Sequence, residues 1–163
     1  MTVNSTDSAP AVSSEYFDLE TSGLGYLNRA REVPTRGEPF LAVDIAALHG
    51  AKSNVEYTRF DCIVRGAKAI NIVRNLMPEI EAGKAVLVGF KIGDLYADTF
   101  TFTHGEKAGQ TGVSLKARLL QIRWAKVDGE TVYSARSEAT ANGATNASSE
   151  QSHRVSNAAP ASR

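Results

Sequence analysis

Five segments with the two-residue period of β-strands, one helical segment between the third and fourth, and polar ends without aromatic residues predict a mainly β protein. This is the element order of the OB-fold, a five-stranded Greek-key barrel with one helix between strands 3 and 4. Closure of the barrel would also remove the unpaired edges of an open sheet. The 163 residues divide into an N-terminal segment, 1–14, expected to be disordered, an OB-fold domain, 15–133, and a C-terminal tail, 134–163, also expected to be disordered. The tail is dominated by Ala, Ser, Asn and Thr, and Val155 is its only branched aliphatic residue. Such a segment buries too little apolar surface to offset about 1–2 kcal/mol per residue of backbone ordering.

The elements follow in order. Residues 23–33 read as the first strand, punctuated by Pro34 and Gly37, and residues 40–48 as the second, closed by His49-Gly50, with a hairpin as the simplest connection. In the third, 55–64, Phe60, Cys62 and Val64 share one phase and read as core, while Tyr57, Arg59, Asp61 and Ile63 share the other. Ile70, Val73, Met77 and Ile80 then recur at helical spacing, with Gly83 as a stop and Pro78 able to shorten or kink the helix. In the fourth strand Val86, Val88, Phe90 and Ile92 alternate with Leu87, Gly89, Lys91 and Gly93. A polar loop, 103–112, leads into the fifth, where Val113, Leu115, Ala117 and Leu119 alternate with Ser114, Lys116, Arg118 and Leu120 and the phase slips near Leu119-Leu120, as at a bulge.

Charge narrows the function. Eighteen basic and eighteen acidic side chains cancel over the whole chain, but residues 21–133 hold fifteen basic against twelve acidic groups. An excess of three says little by itself, because a nucleic-acid surface is marked by clustering of charge. No apolar run approaches the roughly 18–20 residues of a membrane span, and the opening MTVNSTDSAP lacks the pattern of a signal peptide, so a cytoplasmic protein without membrane contact is expected. A lone Cys62 and the scattered His49, His104 and His153 suggest no disulfide, metal or cofactor. Neither a Ser/His/Asp nor a Cys/His arrangement can be read, so no enzyme activity is expected. Gly83-Lys84 lacks the upstream glycine of a phosphate-binding loop, and Asp94 with Asp98 reads as turn decoration.

The stretch Glu56-Tyr57-Thr58-Arg59-Phe60-Asp61, followed by Gly66, the helix and Gly83-Lys84-Ala85-Val86-Leu87-Val88-Gly89, resembles the centre of the bacterial single-stranded DNA-binding protein family. The resemblance implies that Tyr57 stands at a base-stacking position and Tyr96 near a second one. It also implies a homo-oligomer. The acidic tip with a terminal Phe expected of that family is missing, since the chain ends APASR. The stretches GYLNRAREV, FDCIVRG, LVGFKIGDLYADTF and GEKAGQTGVSLKARLL also look like an uncharacterised family of replication proteins encoded on bacterial integrative and conjugative elements.

Binding of single strands needs cations for phosphates and flat side chains for unpaired bases. Lys116, Arg118, Arg123 and Lys126 lie between Val113 and Val127 with no acidic residue among them, and Arg59 and Lys91 sit on the non-core phase of their strands. Lys107 lies in a loop able to close over a bound strand. Trp124 reads equally as core or as a stacking surface. The expected interface therefore comprises Tyr57, Arg59, Lys91, Tyr96, Lys107, Lys116, Arg118, Arg123 and Trp124, and the expected function is single-stranded DNA binding in replication or transfer of a mobile element, with single-stranded DNA, further copies of the chain and the element's replication proteins as partners. The alternative is a barrel that serves protein interaction or oligomerisation and binds little nucleic acid.

Overall fold

The computed structural model describes residues 17–137, and the expectations for the two terminal segments fall mostly outside them. Six strands and one helix follow in the order β1 (Glu20–Val33), β2 (Phe40–Ala51), β3 (Asn54–Val64), α1 (Ala67–Glu81), β4 (Val86–Thr101), β5 (Thr111–Val127) and β6 (Glu130–Ser134). The sheet order is β3-β2-β1-β4-β5-β6, and a further pairing of β3 with β5 closes the first five strands into a barrel. Closure uses a short parallel ladder, Phe60–Val64 against Leu115–Leu119, while every other pairing is antiparallel. This is the OB-fold, with its helix between strands 3 and 4.

The apolar phases meet inside. Leu27, Val43, Ile45, Cys62, Val88, Phe90, Ile92, Leu119 and Ile122 are each at most 2% exposed. The phase slip expected at Leu119-Leu120 is a bulge: Ile92 faces Leu119 and Lys91 faces Gln121, so Leu120 is unpaired. A second bulge leaves out Arg123, which returns Ala125 to the core and turns Trp124 outward. Trp124 lies across Gly89, where a β-carbon would stand 2.6 Å from the indole Nε1. Only a bare backbone lets the ring pack so closely.

Three features differ from the sequence expectation. The sheet has a sixth strand, β6, hairpinned to β5 through Asp128-Gly129, whose positive φ angles of 47° and 86° suit a tight turn. With it the fold runs through Ser134 into a helical turn at 135–137, beyond the expected boundary at Tyr133. The helix buries Ala69, Ile72, Val73 and Leu76, while Ile70, Met77 and Ile80 are only partly covered, so its core stripe is rotated from the expected one. It also continues through Pro78 to Glu81, because Pro78 falls in the last turn, where little helix remains to be broken.

An ion network crosses the closing seam. Asp44 and Asp61 stand directly opposite on β2 and β3, a repulsive pair by itself. Arg31 bridges them at 3.1 Å and 3.2 Å, Arg29 adds a second contact to Asp44, and Lys116 of β5 bonds Asp61 across the parallel ladder. Burial would push the Asp61 carboxyl up, but the hydrogen bond and charge of Lys116, with Arg31, outweigh it and hold the group below its ordinary 3.8.

The network makes stability depend on pH. Asp61 is charged in the fold at pH values where a free carboxyl begins to protonate, so its contribution is full above about 3.8 and disappears as pH falls through the lower folded value. Asp61→Asn should therefore lower the melting temperature by about 4 °C at pH 7, equivalent to about 1 kcal/mol for a solvent-accessible network, and the gap to wild type should close in melts at progressively lower pH. The close approach at Gly89 is testable by volume. Gly89→Val should displace Trp124, the single tryptophan, shift its fluorescence to longer wavelength and cost about 1–3 kcal/mol in a urea melt.

Candidate functional site

Strand β3 supplies the axis of the site. Because Phe60, Cys62 and Val64 point inward, the odd-numbered positions Tyr57, Arg59, Asp61, Ile63 and, just past the strand, Arg65 share the outward phase. Tyr57 is 55% exposed, as that phase requires of a ring available to a ligand. With Arg59 it lines a groove of about 390 Å³, together with Tyr26, Ala46 and Lys84.

Closure places β5 and β4 beside the other half of that row. Asp61 pairs with Lys116 and Ile63 with Arg118, and Lys116 pairs in turn with Tyr96 on β4. Arg31, Asp61, Arg65, Tyr96, Lys116 and Arg118 converge on a cleft of about 640 Å³ that carries four cations and, with Asp94, two carboxylates. Tyr96, 59% exposed, is its aromatic wall. The structure thus joins five of the expected residues, Tyr57, Arg59, Tyr96, Lys116 and Arg118, into one track that runs along β3 and crosses to β5 and β4.

The cations on this track differ in their availability. Lys116 is bonded to Asp61, which raises its pKa by hydrogen bond and charge, and Arg118 lies 3.1 Å from Asp94. Lys91 is likewise 2.9 Å from Glu20. The stretch 113–127 contains no acid, but its neighbours in space do. Arg59, Arg65 and Arg123 are exposed and form no ion pair among the described residues. Arg65 was not among the sequence candidates, although its signal is plain: it continues the alternation that selects Tyr57 and Arg59.

The remaining candidates lie elsewhere. Lys91 and Trp124 belong to the β1-β4-β5 side of the sheet, opposite Ser22 and Gly89 respectively, and Arg123 occupies the bulge beside Trp124. Trp124 is half-buried, with the Lys126 ammonium 5.8 Å from its ring centre. Lys107 is at the far end of the β4–β5 hairpin, 5.8 Å from the ring centre of Phe102. Cys62 faces the core, where burial, aided by the charges of Asp61 and Asp44, pushes its thiol up to about 12, so it stays protonated and unreactive at neutral pH.

Two exposed tyrosines near guanidinium groups that form no ion pair among the described residues can do two things chemically: offer π-faces to planar groups and offset the charge of phosphates. No curated protein and no solved structure matches the chain. A family model described as a protein of unknown function (DUF3577) matches residues 11–141, and the chain belongs to that family.

Proposed function

We propose that the protein binds single-stranded DNA along the β3 track, with Tyr57 and Tyr96 stacking on bases and Arg59 and Arg65 contacting phosphates. The observation that carries this reading is the exposure of Tyr57 and Tyr96 on an OB barrel beside cations that have no carboxylate partner among the described residues. Neither ring belongs to the core, so neither is needed to fill the barrel. A solvated tyrosine on a strand face offers an apolar, flat surface at little entropic cost, and stacking on it tolerates any base. The resemblance of residues 56–61 to single-stranded DNA-binding proteins supports the same assignment, and the likeness to replication proteins of conjugative elements supports a role in replication or transfer of a mobile element, with further copies of the chain and the element's replication proteins as partners.

The length of the track fits such a ligand. Tyr57 and Arg65 are eight residues apart on an extended strand, about 27 Å, and β5 and β4 add about 5 Å each in width. This suits a few nucleotides, within the roughly 4–16 that one OB-fold engages.

A titration of fluorescent oligothymidine at several salt concentrations tests the reading. Affinity should fall as salt rises, and the Arg59→Ala, Arg65→Ala double variant should flatten the plot of log K against log salt by about 0.7 for each phosphate it no longer neutralises. An unchanged slope would make these arginines solubilising groups only. Tyr57→Ala should lose about ten- to a hundredfold in affinity with an unchanged melting temperature, and Tyr57→Trp should retain binding. Unfolding of Tyr57→Ala, with intact affinity per folded molecule, would assign the ring to the core instead.

A further inference from the structure

Helix α1 and strand β6 leave a groove of about 550 Å³ between them. Ile72, Leu76 and Glu79, spaced four and three residues apart on one face of the helix, line one side, and Glu130, Val132 and Tyr133 line the other. The pairing of β6 with β5 sets Thr131 opposite Lys126 and Tyr133 opposite Ala125, which leaves Val132 out as a bulge. In a regular strand two consecutive side chains face opposite sides, whereas the bulge lets Val132 and Tyr133 border the same groove.

Two features of this groove have no part in closing the barrel. Tyr133 packs against the core, but its neighbour Val132 is 55% exposed and stays outside it. Strand β6 is also the edge of the sheet, and among the described residues no strand pairs with its other side. Charge then decides what kind of molecule fits. Glu79, Asp128 and Glu130 border the groove against a single cation, Lys84. Lys84 is bonded to Glu79, and Asp128 accepts a hydrogen bond from the Ala85 amide at 3.1 Å. Glu130 is exposed and forms no ion pair among the described residues. An excess of carboxylates repels phosphate and attracts ammonium or guanidinium groups, which excludes nucleic acid as the occupant.

We propose that this groove docks an extended segment of a partner protein in which an apolar side chain is flanked by Lys or Arg. The apolar group covers Val132 beside Ile72 and Leu76, the cation meets Glu130 and Asp128, and the segment's backbone lies along the open edge of β6. A peptide laid on an edge strand gains affinity from main-chain hydrogen bonds and specificity from the pockets beside them. With five residues and a bulge, β6 offers few such bonds, so selection falls to the side chains of the groove. Ile72 and Glu79 are seven residues apart, about 10 Å along the helix, the span of about three residues of extended chain. The groove has only Lys84 in common with the two cavities of the β3 track, so this assignment stands whether or not the barrel binds single strands.

Fluorescence anisotropy of labelled hexapeptides titrated with the full-length protein tests the proposal. The peptide Val-Lys-Val-Arg-Val-Lys should bind at least about tenfold more tightly than the same peptide with Glu for its cations, or with Ser for its valines. Glu130→Lys should reverse the charge preference, and Val132→Ser should weaken the cationic peptide about tenfold, both with an unchanged melting temperature because both side chains are exposed. Excess oligothymidine should not displace the peptide. Equal binding of the three peptides, unchanged affinity in both variants, or displacement by oligothymidine overturns the proposal. Two further outcomes overturn it by naming another occupant. Tighter peptide binding by an Arg154→Glu, Val155→Ser variant, which alters a basic and apolar pair in the chain's own tail, would give the groove to that tail. Sedimentation showing that Val132→Ser breaks a wild-type dimer would give it to a second copy.

Discussion

Everything that makes this surface a site depends on barrel closure by the parallel pairing of β3 with β5. Five residue pairs form that ladder, far fewer than the antiparallel pairing of β4 with β5, and parallel pairing is slightly weaker per residue. The Asp61–Lys116 contact and the Arg31 bridge reinforce it from outside while Cys62, Ala117 and Leu119 pack within. Without closure, Tyr57 and Tyr96 would lie on strands separated by β2 and β1. With it, the outward row of β3 lies beside Lys116 and Arg118 of β5 and, through them, Tyr96 of β4.

Strand pairing also explains why the charge of β5 misleads when read along the chain. Lys116 and Arg118 have no acid near them in sequence, but ladder neighbours are what a charge meets, and Asp61 and Asp94 come from β3 and β4. Lys91 meets Glu20 in the same way, across the β1–β4 pairing. An alternating pattern tells which side of a strand a residue occupies, not what the adjacent strand presents there. The phase of Tyr57 was legible for that reason: Phe60, Cys62 and Val64 define the inward side within β3 alone. Arg65 was equally legible by phase, and lay just beyond the strand's apolar limit.

The fold followed from alternation because most strands are buried on one side and solvated on the other. The sixth strand escaped because ETVYS is short, half-exposed and joined to a polar tail, although Asp128-Gly129 carries a strong hairpin signal. The helix stripe was ambiguous because Ile70, Ile72, Val73, Leu76, Met77 and Ile80 populate two overlapping faces, and only packing against the core chooses between them. Phe100 and Phe102 share one phase at the end of β4, but the role of Gly112 beneath them was not legible, since a close approach between strands has no signature in either strand alone.

Asp61, in the middle of a proposed phosphate track, sets folding against binding, and the conflict has a physical origin. Asp44 and Asp61 face each other on β2 and β3, so Arg31 and Lys116 are needed to neutralise them before either can attract a phosphate. Removing the acids would free the cations but leave the seam without its bridge, and removing the cations would leave two like charges opposed. The centre of the track is thus committed to closing the barrel. In the proposed binding mode, electrostatic capture would fall to the flanks, where Arg59 and Arg65 stand without carboxylate partners among the described residues, and the exposed rings at Tyr57 and Tyr96 would contribute contacts that salt does not screen. A protein arranged this way would gain affinity for single strands from stacking more than from charge, which accords with a domain whose net charge is only slightly positive.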